Sequence, residues 1–172
     1  MTDPARESFT MRPVGRVVGG RHEVVDDDWG GVAATIELDP EQVEVGATDG
    51  LAEFSHVEVV FCFDRVDGDA VCRGTRHPRG RTDWPSVGIL AQRAKDRPNR
   101  IGTTVCRVAG VGPHRIDVIG LDAVDGTPVL DVKPYLAEFA PRGEVHQPAW
   151  TTELMAGYWE TGPDGGAGPT GR

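Results

Sequence analysis

The sequence has few residues of the kinds that build disulfide frameworks, metal centres or membrane spans. Its three cysteines, Cys62, Cys72 and Cys106, are an odd number without CxxC spacing. This argues against disulfides and a zinc site and fits a reducing cytoplasm. The five histidines show no HxH or HxxxH spacing, so we predict no metal. No apolar run approaches the roughly 18–20 residues of a membrane span, so we predict no membrane association.

The chain also lacks the composition of a helical protein. Of its 172 residues only 38% are hydrophobic, whereas 23 are glycine and 13 are proline, which indicates short strands joined by turns. The length suits one domain with tails, and the polar start lacks the apolar core of a signal peptide. We expect a disordered lead-in over residues 1–11, a domain over 12–160 and a disordered, glycine-rich tail over 161–172.

Positive charge is scarce except in one segment. The chain has a formal net charge of −9, yet residues 73–107 contain nine basic and two acidic residues. An acidic protein has no electrostatic reason to bind nucleic acid over its general surface, whereas one concentrated basic band gives a polyanion a single place to bind. The alternative is that these arginines pair with the protein's own carboxylates, and the charge pattern alone does not decide between the two.

Short segments with strand character, separated by turn residues, predict an antiparallel barrel or sandwich. The clearest strand covers residues 54–63, where alternation places Ser55, Val57, Val59, Phe61 and Phe63 on the core side and His56 on the polar side.

The remaining elements are predicted from weaker patterns. A hairpin is expected across Gly112 and Pro113, and a helix is expected over residues 150–159, capped by Thr151 or Thr152. Residues 40–51 are ambiguous and have room for one helical turn. The strands expected besides the first cover residues 12–19, 32–38, 87–92, 103–111, 115–121 and 129–132.

Two long motifs go beyond periodicity. Residues 88–102 have the sequence GILAQRAKDRPNRIG, and residues 120–135 have the sequence GLDAVDGTPVLDVKPY. Together they resemble the TsaA-like family, also called the TrmO or YaeB family, and residues 51–60 and 13–17 resemble two of its strands. The resemblance covers about residues 12–140.

The resemblance implies a mainly β fold, a compact antiparallel β-barrel with a short C-terminal helical segment. It also implies a homodimer that uses S-adenosylmethionine (SAM) as a cofactor. The activity implied is methylation of tRNA at N6 of the threonylcarbamoyl adenosine next to the anticodon. The sequence lacks the glycine-rich turn of Rossmann-like SAM enzymes, so use of SAM would require another fold, which the family supplies.

The resemblance also implies site residues. Asp125 and Tyr135 are candidate catalytic residues, with Asp122 as a third possibility for a base. Thr103 is expected where the backbone approaches the cofactor, because Gly102 lacks a side chain. The full set of expected cofactor-binding residues is Asp28, Trp29, Gly30, Phe63, Asp64, Arg93, Asn99, Thr103, Asp122, Ala123, Val124 and Asp125. The expected tRNA-binding residues are Arg76, Arg79, Arg81, Arg97 and Arg100.

Each of these residues also has a purely structural interpretation, such as a turn at Asp125, packing at Trp29 or an internal ion pair at each arginine. The chain further departs from the family pattern. Arg100 stands where the family typically has proline, Asp64 where it often has histidine, and residues 28–30 where it often has Gln-Pro-Gly. These departures motivate one alternative, a methyltransferase of the same fold acting on a small molecule or another RNA. A non-catalytic SAM- or nucleotide-binding module is a further alternative.

Overall fold

The computed structural model describes residues 8–161 and contains a closed six-stranded barrel. The strands are β1 (Gly15–Val18), β2 (Ala33–Leu38), β3 (His56–Cys62), β4 (Thr75–Arg76), β5 (Val87–Gly88), β6 (Ile101–Gly112), β7 (Arg115–Ile119) and β8 (Pro128–Pro134). The barrel order is β1-β2-β7-β6-β3-β8, and β4 and β5 form a separate two-stranded sheet. All pairs are antiparallel. The predicted mainly β, antiparallel barrel is therefore confirmed.

The barrel interior is filled by apolar side chains from all six strands. The alternation over residues 54–63 predicted the core side correctly at Val57, Val59 and Phe61, but Ser55, placed on the same side, is exposed. In β3, Val57 and Val59 are fully buried and Phe61 is 1% exposed. Phe63 packs against this core, with its ring centroid 5.2 Å from that of Phe61. Gly102 on the neighbouring strand faces the same rings, and a Cβ there would lie 2.5 Å from the Phe61 ring. A glycine at this position therefore makes room for the core.

Two predicted β elements differ from the structure. The β6–β7 hairpin turns at Pro113 and His114, because Gly112 is still paired with Arg115, so the turn lies one residue later than predicted. The strand expected over residues 87–92 stops after Gly88, and Ile89–Ala91 forms a 3-10 turn. Leu90 in this turn is 79% exposed, so this apolar run reflects a surface turn and not a buried strand.

The predicted C-terminal helix is present but shorter than expected. Helix α1 spans Ala149–Leu154 and is followed by turns to residue 159. Its N-cap is Pro148, without a side-chain cap. The cap predicted from a threonine is therefore wrong: the Thr151 hydroxyl instead donates to the Pro148 carbonyl at 2.6 Å.

The ends of the predicted domain are only partly described. Residues 8–11 have no regular structure, and the rest of the predicted lead-in lies outside the described residues. Thr161 forms an isolated antiparallel bridge with Trp29, so the chain is still paired at the residue where the tail was expected to begin. The rest of that tail lies outside the described residues. No helix in the described part of the chain is long and apolar enough to cross a membrane.

Candidate functional site

The second sequence motif crosses the barrel from β7 to β8 and carries Asp122. Its apolar residues Leu121 and Ala123 are buried in the core, which fixes the backbone on both sides of Asp122. The turn closes where the Thr127 N–H donates to the Val124 carbonyl at 3.1 Å, next to Gly126, whose φ of +84° favours glycine. Asp122 is thus held on a rigid crossing segment.

The Asp122 carboxylate receives one hydrogen bond on each oxygen. The Thr104 hydroxyl on β6 donates to Oδ1, and the Tyr158 hydroxyl donates to Oδ2 at 2.5 Å. Thr104 is 6% exposed. We call these three residues the Asp122 cluster. Each carboxylate oxygen has further acceptor capacity, so the cluster presents an oriented anionic acceptor to a ligand ammonium or hydroxyl.

The surroundings of the cluster keep the Tyr158 hydroxyl and the neighbouring Cys106 thiol protonated. Burial raises the pKa of the Tyr158 hydroxyl well above its ordinary value, and the neighbouring Asp122 raises it further, whereas Arg93 and Arg79 oppose these effects. Burial, with a contribution from Asp122, also raises the pKa of the Cys106 thiol to about 12. Tyr158 is therefore a hydrogen-bond donor at neutral pH, and Cys106 is an unreactive thiol.

Arg93 and Thr103, both predicted to lie near the cofactor, are brought together. The Arg93 guanidinium donates to the Thr103 carbonyl at 2.6 Å. Asn99 is exposed. The absence of a side chain at Gly102 does not open space for a cofactor beside Thr103, because the Phe61 and Phe63 rings fill that space.

The loop containing Asp28, Trp29 and Gly30 is joined to residues 148–161, which we call the C-terminal segment. The Asp28 N–H donates to the Gly157 carbonyl at 3.0 Å, and the Trp29 N–H donates to the Tyr158 carbonyl at 2.8 Å. The Trp29 side chain is only 3% exposed, with the Arg21 guanidinium 4.9 Å from its ring centroid. This geometry favours the packing interpretation of Trp29 over a role as an open platform for adenine.

Asp125, in the same segment between β7 and β8, makes hydrogen bonds that stabilise the fold. Its carboxylate accepts a hydrogen bond from the Gly19 N–H at 2.8 Å, and its carbonyl accepts one from Arg65 at 2.5 Å. These contacts attach the turn to the loops after β1 and β3.

The remaining predicted residues lie in separate surroundings. Tyr135 follows β8, and its N–H donates to the His56 carbonyl at 3.0 Å. Within residues 8–161, no hydrogen bond joins the Tyr135 hydroxyl to Asp122 or Asp125. Phe63 packs on the core and Asp64 is exposed.

The five arginines predicted to bind tRNA all contact the protein itself. Arg76 forms a bidentate pair with Asp96, Arg79 with Asp27, and Arg81 with Asp83. Arg97 donates to the Gln92 carbonyl at 3.2 Å and Arg100 to the Val66 carbonyl at 2.8 Å. For three of the five, the structure has the internal pairing that the charge pattern left open. The exposed basic residues Arg73, Lys95 and Arg107 have no ion pair among the described residues.

Sequence reasoning missed two members of the cluster, Thr104 and Tyr158. Alternation in β6 places Thr104 on the core side between Gly102 and Cys106, and a hydroxyl there needs a partner, which is a usable signal. Tyr158 carries no such signal, because it reaches Asp122 only through the path of the C-terminal segment. Among residues 8–161 no group of three or more His, Cys, Asp or Glu residues could hold a metal ion.

Comparison with known protein families assigns this barrel to a family. Residues 28–140 match the model of the tRNA-methyltransferase O N-terminal domain. The chain belongs to this family. The match covers both sequence motifs and Asp122 but ends before Tyr158, so the C-terminal segment lies outside the family domain.

Members of the tRNA-methyltransferase O family resemble the chain over part of their length. It is 37% identical over 99 residues to the human tRNA (adenine(37)-N6)-methyltransferase, covering 58% of this chain and 22% of that protein. It is 37% identical over 97 residues to the Escherichia coli K12 protein of the same name, covering 54% of this chain and 41% of that protein. The chain thus spans less than half the length of these curated relatives.

Solved structures agree with the family assignment. A crystal structure of TrmO superposes with a TM-score of 0.67 at 29% identity, covering 82% of this chain and 64% of that chain. TrmO from Pseudomonas aeruginosa gives a TM-score of 0.65 at 28% identity, covering 81% of this chain and 62% of that one. The resemblance inferred from the two motifs is therefore confirmed.

Proposed function

We propose that the chain is a SAM-dependent methyltransferase that acts on tRNA. The specific reaction we propose is methylation at N6 of the threonylcarbamoyl adenosine next to the anticodon. The observation that carries the proposal is the family match over residues 28–140, which contains the oriented Asp122 carboxylate. Two relatives named as adenine-37 N6-methyltransferases support the class of reaction.

The residues of the Asp122 cluster fit such a cofactor. SAM carries an ammonium group and ribose hydroxyls, all of which donate hydrogen bonds, and Asp122 presents a fixed acceptor. The nearby Arg93 suits the cofactor carboxylate. We place SAM against the segment containing Asp122, Ala123 and Val124 and against the loop at residues 28–30. When bound, SAM would supply an activated methyl group on its sulfonium.

The protein's contribution to methyl transfer is alignment and removal of a proton. Transfer from a sulfonium is an in-line displacement, so holding donor and acceptor in register accounts for much of the acceleration. The acceptor nitrogen is weakly nucleophilic, because its lone pair is shared with a purine ring and a carbamoyl group, so a base that accepts its proton helps. Asp125 and Tyr135 are our candidates for this base, with Asp122 as the alternative.

For tRNA binding we propose the basic band over residues 73–107. Its arginines at positions 76, 79 and 81 are paired with carboxylates, so phosphates would have to replace those carboxylates or bind beside them. Arg73 and Lys95 are exposed, and they adjoin Cys72 and Asp96, whose backbones are joined by a hydrogen bond from the Cys72 N–H to the Asp96 carbonyl at 2.9 Å. These two cations are the most accessible for a first phosphate contact.

We further propose that the protein works in the cytoplasm as a homodimer. A monomer mass by light scattering at micromolar concentration would contradict the dimer.

The decisive test is incubation of the full chain with methyl-labelled SAM and total tRNA from cells that lack this activity. The tRNA is then digested and its nucleosides are identified by mass spectrometry. A methylated threonylcarbamoyl adenosine is the expected product. Label in another nucleoside would contradict the proposed substrate, and the absence of label despite SAM binding by calorimetry would contradict tRNA as substrate.

A second candidate function is methylation of a small molecule or another RNA by the same fold. It is favoured by the internal pairing of the three arginines and by the departure from the family pattern at Arg100. A non-catalytic SAM-binding module is the third hypothesis, and turnover of SAM with any defined acceptor would exclude it.

A further inference from the structure

The C-terminal segment, residues 148–161, lies outside the family domain yet contacts the candidate site at several points. Besides the bonds to Asp28 and Trp29, the Gly30 N–H donates to the Glu160 carbonyl at 3.3 Å. At the other end of the segment, the Trp84 indole N–H donates to Glu153 at 2.8 Å, and the Trp84 ring packs on Trp150. The segment is therefore attached at one end to the loop between β1 and β2 and at the other end to the loop between β4 and β5, which fixes the residues between them.

Tyr158 is the residue that connects this segment to the carboxylate. Its hydroxyl lies 2.5 Å from Asp122 Oδ2, while Thr104 occupies Oδ1. Its ring packs edge-on against Trp159 at a centroid distance of 4.9 Å. A carboxylate held by a single hydroxyl can rotate, whereas one held on both oxygens by two different elements cannot rotate without losing a hydrogen bond.

We propose that Tyr158 is a positioning residue that fixes the Asp122 carboxylate for the cofactor, so that residues 148–161 form one wall of the site. The inference rests on the proposed SAM site.

The test is calorimetric titration of SAM into the full-length chain, three single variants and the double variant of Tyr158→Phe with Asp122→Asn. Tyr158→Phe keeps the ring and removes the hydroxyl. Asp122→Asn keeps the shape and removes the charge. Thr151→Val is the matched control, since it removes a hydroxyl from the same segment whose partner is the Pro148 carbonyl.

We expect Tyr158→Phe to weaken SAM binding by about tenfold, the scale of one hydrogen bond to a charged group. Thr151→Val should bind as the wild type does. In the double variant with Asp122→Asn, removal of the Tyr158 hydroxyl should add little further loss, because the tyrosine acts through Asp122. In kinetic measurements, Tyr158→Phe should raise the KM for SAM, and Thr151→Val should leave it unchanged.

Four results would overturn the inference. Unchanged binding by Tyr158→Phe, or a full additional loss in the double variant, would show that the hydroxyl does not act through Asp122. Tighter binding by Tyr158→Phe would show that the hydroxyl competes with the cofactor. Failure of the wild type to bind SAM would overturn the proposed cofactor itself, which the other three results leave intact.

A measurement on the wild type alone covers the case in which Tyr158→Phe does not fold. Hydrogen exchange is recorded with and without SAM. We expect SAM to slow exchange at the amides of Trp29, Gly30 and residues 157–160, which join the segment to the barrel. Protection confined to residues 88–135 would overturn the role of the segment.

Discussion

Gly30 lies directly against the backbone carbonyl of Trp159, so closely that any side chain at residue 30 would overlap it. The neighbouring atoms belong to backbone, which cannot move aside as a flexible side chain can. Gly30→Ala must therefore displace the C-terminal segment, or the loop at residues 28–30, from the barrel. We expect a loss of about 1–3 kcal/mol in the free energy of unfolding, with earlier proteolytic cleavage between residues 148 and 161.

Gly68→Ala is the control for that substitution, because a Cβ at Gly68 meets no atom within 4 Å. Urea unfolding followed by circular dichroism gives the stability, and limited proteolysis with mass spectrometry gives the cleavage site. Equal stability of the two variants would show that the contact with Trp159 does not hold the segment.

Arg100 has a backbone that proline cannot adopt. Its φ is +53°, whereas proline fixes φ near −65°, and the Arg100 N–H donates to the Arg97 carbonyl at 3.0 Å. Arg100→Pro, the residue typical of the family, should therefore cost about 3 kcal/mol or more in this chain. Arg100→Gly should leave the free energy of unfolding nearly unchanged. Glycine adopts a positive φ without strain, and this gain offsets the loss of the side-chain hydrogen bond to the Val66 carbonyl. Thermal unfolding of both variants checks this, and a stable proline variant would contradict it.

The parts of the structure that sequence predicts well are those set by local pattern. The alternation in β3 identified the buried Val57, Val59 and Phe61 because side chains of a strand alternate strictly between its two faces. The 3-10 turn at Ile89–Ala91 was missed because a short apolar run fits a strand and a turn equally well. The cap was predicted at Thr151 or Thr152, but the helix already begins after Pro148, which has no side-chain donor or acceptor, so both threonines lie inside the helix.

The candidate site was predicted only in part, for a different physical reason. Asp122 and Arg93 lie within long motifs, so the resemblance pointed to both. The Tyr158–Asp122 contact joins residues 36 positions apart and depends on the path of the C-terminal segment, which no local pattern specifies. The ion pair between Arg79 and Asp27 likewise spans 52 positions, so composition revealed the charges but not their partners.

Exposed cations of the basic band should dominate binding to tRNA. The double variant Arg73→Glu with Lys95→Glu should weaken tRNA binding about tenfold or more at low salt. It should also reduce the salt dependence of the binding constant, since fewer counterions are released. Arg142→Glu is the control, because it is an exposed arginine outside the band. Filter binding at several salt concentrations measures both effects. An equal loss of tRNA affinity in the double variant and in Arg142→Glu would contradict a localised site.

The three cysteines should differ sharply in reactivity. Cys106 is 1% exposed, and burial with the nearby Asp122 raises its pKa to about 12, so almost no thiolate forms at pH 8. Cys62 and Cys72 are partly exposed. A thiol reagent should therefore label two cysteines in the native protein and a third only in denaturant, as counted by mass spectrometry. Rapid native labelling of Cys106 would show that the barrel opens near the Asp122 cluster.

Asp117 should contribute to stability in a way that acid removes. Partial burial raises the pKa of its carboxyl, but hydrogen bonds from Thr35 and Arg115 outweigh burial and hold the pKa below its ordinary value. A carboxyl with a lowered folded-state pKa stabilises the fold at pH values above its unfolded pKa, about 3.9. That stabilisation is lost as the pH falls through the folded-state value.

We therefore expect Asp117→Asn to be less stable than the wild type at pH 7. The difference in stability between the two proteins should shrink as the pH falls below about 4, because protonation of Asp117 removes from the wild type the same charge that the substitution removes. Glu138→Gln is the control, since Glu138 is an exposed carboxylate without an ion pair among the described residues. Urea unfolding at pH 7, 4 and 3 measures the effect. A difference that stays constant across this range would show that Asp117 stabilises the β2–β7 pair by geometry and not by charge.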